Sequence, residues 1–130
     1  MNTKKIGNID EEIAERYLKK KGYEILDKNY CFRISGSPQE GEIDIVAQRG
    51  NLISFIEVKT LRDQGFSKIF NPEDKVDFWK RKKIIKTAEH WLTKNKIDLD
   101  SMWQIDVIAI TIDPFSKEEK IRHLKNVATY

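Results

Sequence analysis

Asp44 and the triplet Glu57-Val58-Lys59 are the residues of this chain whose types and spacing could do chemistry. They lie on two β-like runs, GEIDIVA and LISFIEVKT, separated by the turn Gly50-Asn51. A hairpin symmetric about that turn pairs residues whose numbers sum to 50 + 51 = 101, setting Asp44 opposite Glu57 and Glu42 opposite Lys59. Side chains alternate along a strand, so these four are expected to share a face. The other face receives Ile43, Ile45, Ile56 and Val58, an apolar layer able to bury against a helix.

Two carboxylates directly across a sheet have β-carbons roughly 4.5–5.5 Å apart, and like charges so placed are destabilising unless compensated. A divalent cation compensates. Mg²⁺ prefers oxygen donors and commonly takes one or two carboxylates plus water and substrate phosphate, which Asp44 and Glu57 could offer. Lys59 lies two residues beyond Glu57, about 7 Å along the strand. There its ammonium could orient a water or steady charge developing on a phosphate. The competing reading is a solvated strand face on which Lys59 neutralises the acids, since exposed ion pairs are common and weak.

The elements that must position these residues follow from periodicity. Residues from about 9 to 21 read as a helix with the apolar stripe Ile13, Ala14, Tyr17 and Leu18, ended by Gly22. Glu11, seven residues before Leu18, has nearly the same azimuth and is aimed toward the sheet; an acid early in a helix also suits its dipole. Tyr23 to Ile34 is aromatic and β-branched enough for a strand, and Ser35-Gly36-Ser37-Pro38 breaks it. The hairpin from Glu42 to Thr60 follows, then Leu61 to Asp74 without a clear period, a loop beside the strand carrying Glu57 and Lys59.

Asp77 is a candidate N-cap for a second helix running to about Asn95, with the stripe Ile84, Ile85, Ala88, Trp91 and Leu92. One turn further back the stripe meets Arg81 near its centre and Lys80 near its edge, whereas Lys82, Lys83 and Lys86 project from the opposite side. Lys80 and Arg81 are therefore the basic residues expected to reach a site on the sheet, with Trp91 and Leu92 in the core. The strand Trp103 to Ile112 is apolar on both faces over most of its length, which suits a central or well-covered position; Asp106 is its odd member, read as a satisfied polar residue. After Pro114 the chain ends in a charged, strand-like KIRHLKNV.

At 130 residues the chain is read as one domain, 1–130, able to bury a single core. No run reaches the length of a membrane span and MNTKKIGNIDEE lacks the apolar segment of a signal peptide, so a cytoplasmic protein without a membrane partner is expected. Cys31 is the single cysteine, which excludes an internal disulfide, and its neighbours Tyr30 and Phe32 point to a packed thiol. With only His90 and His123 besides, a thiol or imidazole metal site is not expected. The net charge of +3 is mild, but Lys80, Arg81, Lys82, Lys83 and Lys86 cluster, an arrangement that suits a phosphate backbone as well as a solvated helix face.

The order helix, strand, hairpin, helix, strand, with an acid, an Asp and a spaced Glu-x-Lys, resembles the restriction-endonuclease-like nucleases whose metal site is written PD-(D/E)xK. The segments GNIDEEIAERYLKKKGYEILDKNY, GEIDIVA, ISFIEVKT, VDFWKRKKIIKTAEHWL and QIDVIAI, from about Gly7 to Ile112, look like the YraN-like family of predicted bacterial endonucleases, distantly similar to archaeal Holliday junction resolvases. The resemblance implies an α/β fold with a mixed central sheet flanked by helices. It implies Mg²⁺ or Mn²⁺ bound by Asp44 and Glu57 with the carbonyl of Val58, Lys59 as the catalytic lysine, Glu11 as the helix-borne acid, and Lys80 near substrate. Family members usually have Gly where this chain has Asp10, so Asp10, Glu11 and Glu12 all compete for the helix acid's role. The expected activity is metal-dependent hydrolysis of DNA, with branched or junction structures as candidate substrates and a two-fold dimer as the symmetric arrangement for cutting two strands. The alternative is a noncatalytic nucleic-acid-binding or adaptor protein of the same fold.

Overall fold

In a computed structural model of the chain, two helices and five strands follow one another among the described residues as α1 (Thr3–Lys20), β1 (Glu24–Arg33), β2 (Glu40–Arg49), β3 (Leu52–Arg62), α2 (Phe78–Lys94), β4 (Trp103–Ile112) and β5 (Glu119–Leu124). The structure describes residues 3–33, 40–62 and 78–127, and at 3–8, 33, 40, 61–62 and 78–81 the backbone alone. The expected loop across Leu61 to Asp74 loses Leu61 and Arg62 to β3; its remainder and the proposed cap Asp77 lie outside the described residues. Helix α1 begins earlier than its apolar stripe, at Thr3 rather than near Ile9.

The strands form one mixed sheet in the order β1-β2-β3-β4-β5. β1, β2 and β3 are an antiparallel meander, β3 and β4 are parallel, and β5 returns antiparallel to β4. A parallel pair needs a long crossover, and α2 supplies it. The turn at Gly50 has φ 63 at its first central position, with no positive φ at Asn51, the type II′ pattern that matches strand twist. β2 and β3 consequently pair in the expected register, Arg49 with Leu52 through Ile45 with Ile56.

Each helix covers one face of the sheet. Ile13, Ala14 and Leu18 of α1 pack on Ile45, Ala47, Ile56, Ile108 and Ile110, while Ile84, Ile85, Ala88, Trp91 and Leu92 of α2 pack on Val46, Ile53, Phe55 and Ile105. Both stripes read from the sequence are thus core, and β4, flanked by β3 and β5 and covered on both faces, is the well-covered strand its composition suits. Helix α1 ends where Gly22, at φ 90, lets its own N–H reach Lys19 O and that of Tyr23 reach Leu18 O, a Schellman closure.

Three expectations are corrected. The sheet has no face left open for a site, because Phe55 and Ile53, on the Glu57 side of β3, are buried under α2. Ile43 also leaves the group Ile45, Ile56 and Val58: it joins the α2 cluster, whereas they lie in or against that of α1. Simple alternation cannot put 43 and 45 on opposite faces, so β2 departs from it at Asp44. Strand β1 departs with it. Lys28 reaches Glu15 on α1 while Tyr30 packs under α2, and between them Asn29 has φ 55. Cys31, just beyond this kink, is exposed rather than packed. Asn is among the few residues that enter the left-handed region at modest cost.

Candidate active site

The β2–β3 ladder stops at Ile45↔Ile56, although both strands continue. Beyond that pair β2 stays with β1 as far as Glu40↔Arg33, and β3 stays with β4 as far as Arg62↔Ile112. The sheet forks there. Asp44 is the first residue past the last pair on β2, and Glu57 the first on β3. Asp44 reaches into the fork, where its Oδ2 accepts the Val58 N–H at 2.7 Å.

The fork collects charge. Burial raises the Asp44 carboxyl, the Val58 N–H partly offsets this, and the negative charges of Glu42, Glu11 and Glu57 add to it, bringing it to about 7. Lys59 Nζ sits 2.9 Å from Glu57 Oε2, with both side chains largely buried. An ion pair so enclosed is stronger than a surface one, and removing either member leaves the other inadequately solvated.

Glu11 arrives from α1. Its carboxyl is raised above the ordinary value chiefly by burial; a hydrogen bond from the Asn29 side chain opposes this, Glu42 adds to it, Lys28 lowers it and Asp10 raises it. Of the three competing acids, Glu11 is the one whose charge acts on Asp44. Asp10 is buried with its Oδ1 lacking a hydrogen-bond partner, and Glu12 is exposed.

Sequence reasoning missed Asn29, which lies between the pairs Lys28↔Ile45 and Tyr30↔Ile43, hence opposite Asp44. It kinks β1 and holds Glu11. The signal was an Asn inside an otherwise aromatic and β-branched strand, a residue that strands disfavour.

α2 closes the fork from the other side. A β-carbon built on Gly41 would overlap Thr87 Oγ1 and come within 3.2 Å of Lys83 O, so glycine is what allows β2 and α2 to approach. Lys80 and Arg81 lie in the first turn of α2, which follows β3 in the chain; the expectation that their side chains face the sheet concerns side chains outside the described part. Lys82 and Lys86 are exposed, as expected, and Lys83 is half-buried.

Among the described residues no three His, Cys, Asp or Glu side chains are arranged to hold a metal ion. The donor set at the fork is smaller, two buried carboxylates from neighbouring strands and the backbone at Val58. That set still fits a hard divalent ion completed by water, since such an ion needs only one or two carboxylates. Asp44, crowded by like charges, is the group whose ionised form a cation would favour most.

No described helix is long and apolar enough to cross a membrane. The chain matches the uncharacterised protein family UPF0102 over residues 10–110. It is 38% identical over 123 residues to a UPF0102 protein of Clostridium tetani, covering 95% of this chain and 93% of that one. To that of Caldanaerobacter subterraneus subsp. tengcongensis it is 36% identical over 127 residues, 97% and 96% of the two chains. To that of Clostridioides difficile it is 37% identical over 126 residues, 97% and 98% of the two chains. A match that spans the helix acid, the fork and both strands bearing it, with near-full-length relatives, makes this chain a member of the UPF0102, or YraN-like, family.

Proposed function

We propose that this protein is a metal-dependent nuclease of restriction-endonuclease-like fold that hydrolyses phosphodiester bonds in DNA, with branched or junction structures as its candidate substrates. The observation that carries the proposal is the fork: Asp44 and Glu57 are the first residues beyond the end of the β2–β3 ladder, Glu11 approaches from α1, and Lys59 is paired to Glu57. A fold needs no such concentration of buried like charge, and its electrostatic cost is characteristic of functional sites. Asp44 and Glu57, with the Val58 carbonyl, would hold Mg²⁺ or Mn²⁺, which when bound supplies a Lewis acid for the phosphoryl oxygen and a more acidic water.

The chain's own groups divide the remaining work. The Val58 N–H orients Asp44 by holding one of its oxygens, leaving the other for the ligand. Lys59, an ammonium on the strand that carries Glu57, orients the attacking water and offsets charge on the phosphate. Glu11, with Asn29 fixing its carboxylate, bears on the same centre from the helix. Lys80, Arg81 and the exposed lysines of α2 supply sequence-independent contacts to phosphates.

The lack of a three-acid cage among the described residues favours a second reading, a noncatalytic nucleic-acid-binding protein. Against it stands the Lys59–Glu57 pair beside Asp44, which a binding surface does not require. Cleavage of labelled linear, single-stranded, flapped and four-way-junction DNA in Mg²⁺, Mn²⁺ or chelator, by the native chain and Glu57→Ala, decides between them. Metal-dependent cutting that vanishes in the variant supports the nuclease. DNA binding without cutting by either protein supports the second reading.

A further inference from the structure

We propose that Phe115, on the turn between β4 and β5, is a stacking residue for an unpaired base of the DNA held at the fork, a specificity-determining contact that rests on the nuclease reading. Phe115 is 93% exposed, the most exposed large apolar residue among those described. The turn that carries it is tightly bonded. Asp113 Oδ1 accepts the N–H of Phe115 at 2.7 Å and of Ser116 at 3.1 Å, Asp113 N donates to Glu118 O, Lys117 N to Asp113 O, and Glu118 N to Ser116 Oγ. Those two backbone N–H groups, Phe115 first, hold the Asp113 carboxyl below its usual range. Phe115 contributes only its amide to this scheme, so any residue with an N–H would make the same turn. The ring is surplus to the fold.

The parallel register locates it relative to the site. Lys59 stands beside Ala109 and Arg62 beside Ile112, so β4 runs in the same direction as β3 and its turn lies at the end of the sheet where the fork opens. From Lys59 to the level of Ile112 is three residues, about 10 Å, and β4 lies about 4.8 Å to the side. At 3.4 Å per step that is about three nucleotides, with the turn adding one or two more. An aromatic ring carried on a bonded turn at that distance can take over the stacking of a base at an interruption in a duplex, as apolar wedges and aromatic platforms do for bent or single strands.

Charge does not explain the turn. Lys117 and Lys120 are offset by Glu118 and Glu119. Nor does a broad apolar contact, since Leu99 and Met102 lie in the connection entering β4, at its far end, and Ile9 is aliphatic and carried on α1. What the turn presents is one π-face.

The test compares the native chain with Phe115→Ala and Phe115→Trp, by anisotropy in Ca²⁺, on blunt duplex, single-stranded and flapped DNA. The DNA carries 2-aminopurine at each of the first six positions from the flap. Because the ring is exposed, both variants should melt with the native chain. The expected result is binding to flapped and single-stranded DNA weakened about tenfold in Phe115→Ala and kept in Phe115→Trp. Blunt duplex should be affected less than twofold, and the 2-aminopurine quench should be lost at one position near the fourth. Because the contact is stacking, the ratio of native to variant affinity should not change with salt.

Equal binding by native and Phe115→Ala chains, with Mg²⁺-dependent cleavage intact in both, overturns the stacking role and leaves the nuclease standing. A native chain that neither binds nor cuts any of these DNAs overturns the nuclease reading, and the stacking role falls with it. Unchanged DNA binding with a change of mass in light scattering would make Phe115 a self-association residue instead, and also overturns the proposal.

Discussion

Asp44 is held in a protein environment that opposes its own ionisation, and this has a measurable consequence for stability. Its carboxyl titrates near 3.8 in the unfolded chain and at about 7 in the folded one. The folded state therefore binds the proton more tightly. Below pH 3.8 both states are protonated and Asp44 costs nothing; between about 4 and 7 stability falls as pH rises; above 7 the full cost remains. In chelator, Asp44→Asn, whose amide oxygen can still accept the Val58 N–H, should be more stable than the native chain at pH 8 by on the order of 2–4 kcal/mol. The gain should shrink to nothing near pH 4. Urea unfolding across that range measures it, and a constant difference at every pH would show that charge is not its cause. Added Mg²⁺ should raise the native melting temperature at pH 8 and leave that of Asp44→Asn unmoved, since a ligand stabilises only the state that binds it.

At the scale of elements, the site depends on two close approaches. β2 reaches α2 through Gly41, and β1 turns under α1 through Asn29. Gly41→Ala should destabilise the protein by about 1–3 kcal/mol, because the new methyl must displace Thr87 or the helix turn at Lys83. Replacing Thr87 with Ala removes the oxygen it would overlap, so the cost should be smaller in that background. A double-mutant cycle from chemical denaturation reads the coupling; strict additivity would mean that β2 and α2 adjust independently. The stripes of α1 and α2 and the hairpin symmetric about Gly50-Asn51 were legible because helix period, strand period and turn chemistry are local. The kink at Asn29 and Asp44 was not. It reverses the face of Ile43 through a two-strand distortion, and a pattern of alternation read along one strand has no means of registering it.

Across the whole molecule, a polar chain ties β4 to β5, α1 and the last described residues, starting from Asp106, which stands beside Ile56 of β3. The fully buried Asp106 accepts His123 Nε2–H at 2.8 Å, and also the Asn126 N–H and the Gln104 amide, while the Tyr17 hydroxyl of α1 meets His123 Nδ1 at 3.2 Å. Val127 N then bonds Ile105 O, tying the last described residues to the start of β4. Asp106 is thus the satisfied polar residue expected of it, with partners twenty residues away. Asp106→Ala should lower stability by about 3–5 kcal/mol by stranding a buried imidazole and a backbone N–H. Glu57→Ala should abolish cleavage with a smaller effect on unfolding, and comparable losses from both would blur that division. For DNA binding, Lys86→Gln should reduce the slope of log affinity against log salt by about one, the share of one phosphate contact. An unchanged slope would remove this part of α2 from the interface.

The sequence by itself determined which residues could do chemistry, the hairpin register from Arg49↔Leu52 to Ile45↔Ile56, both apolar stripes and the family, all of which depend on residue type and short spacing. The further pairs expected from that register, Asp44 with Glu57 and Glu42 with Lys59, do not form because the strands part there. Only the tertiary structure decided that the candidate site is a fork rather than an open face. β2 follows β1 while β3 follows its parallel partner β4, and the choice between those neighbours is made by long-range pairing and by burial under two helices. For the same reason the sequence left Asp10, Glu11 and Glu12 in competition: they differ by about 100° in azimuth each on one helix, and the docking of α1 against a kinked β1 is what brings Glu11, and not its neighbours, to bear on Asp44.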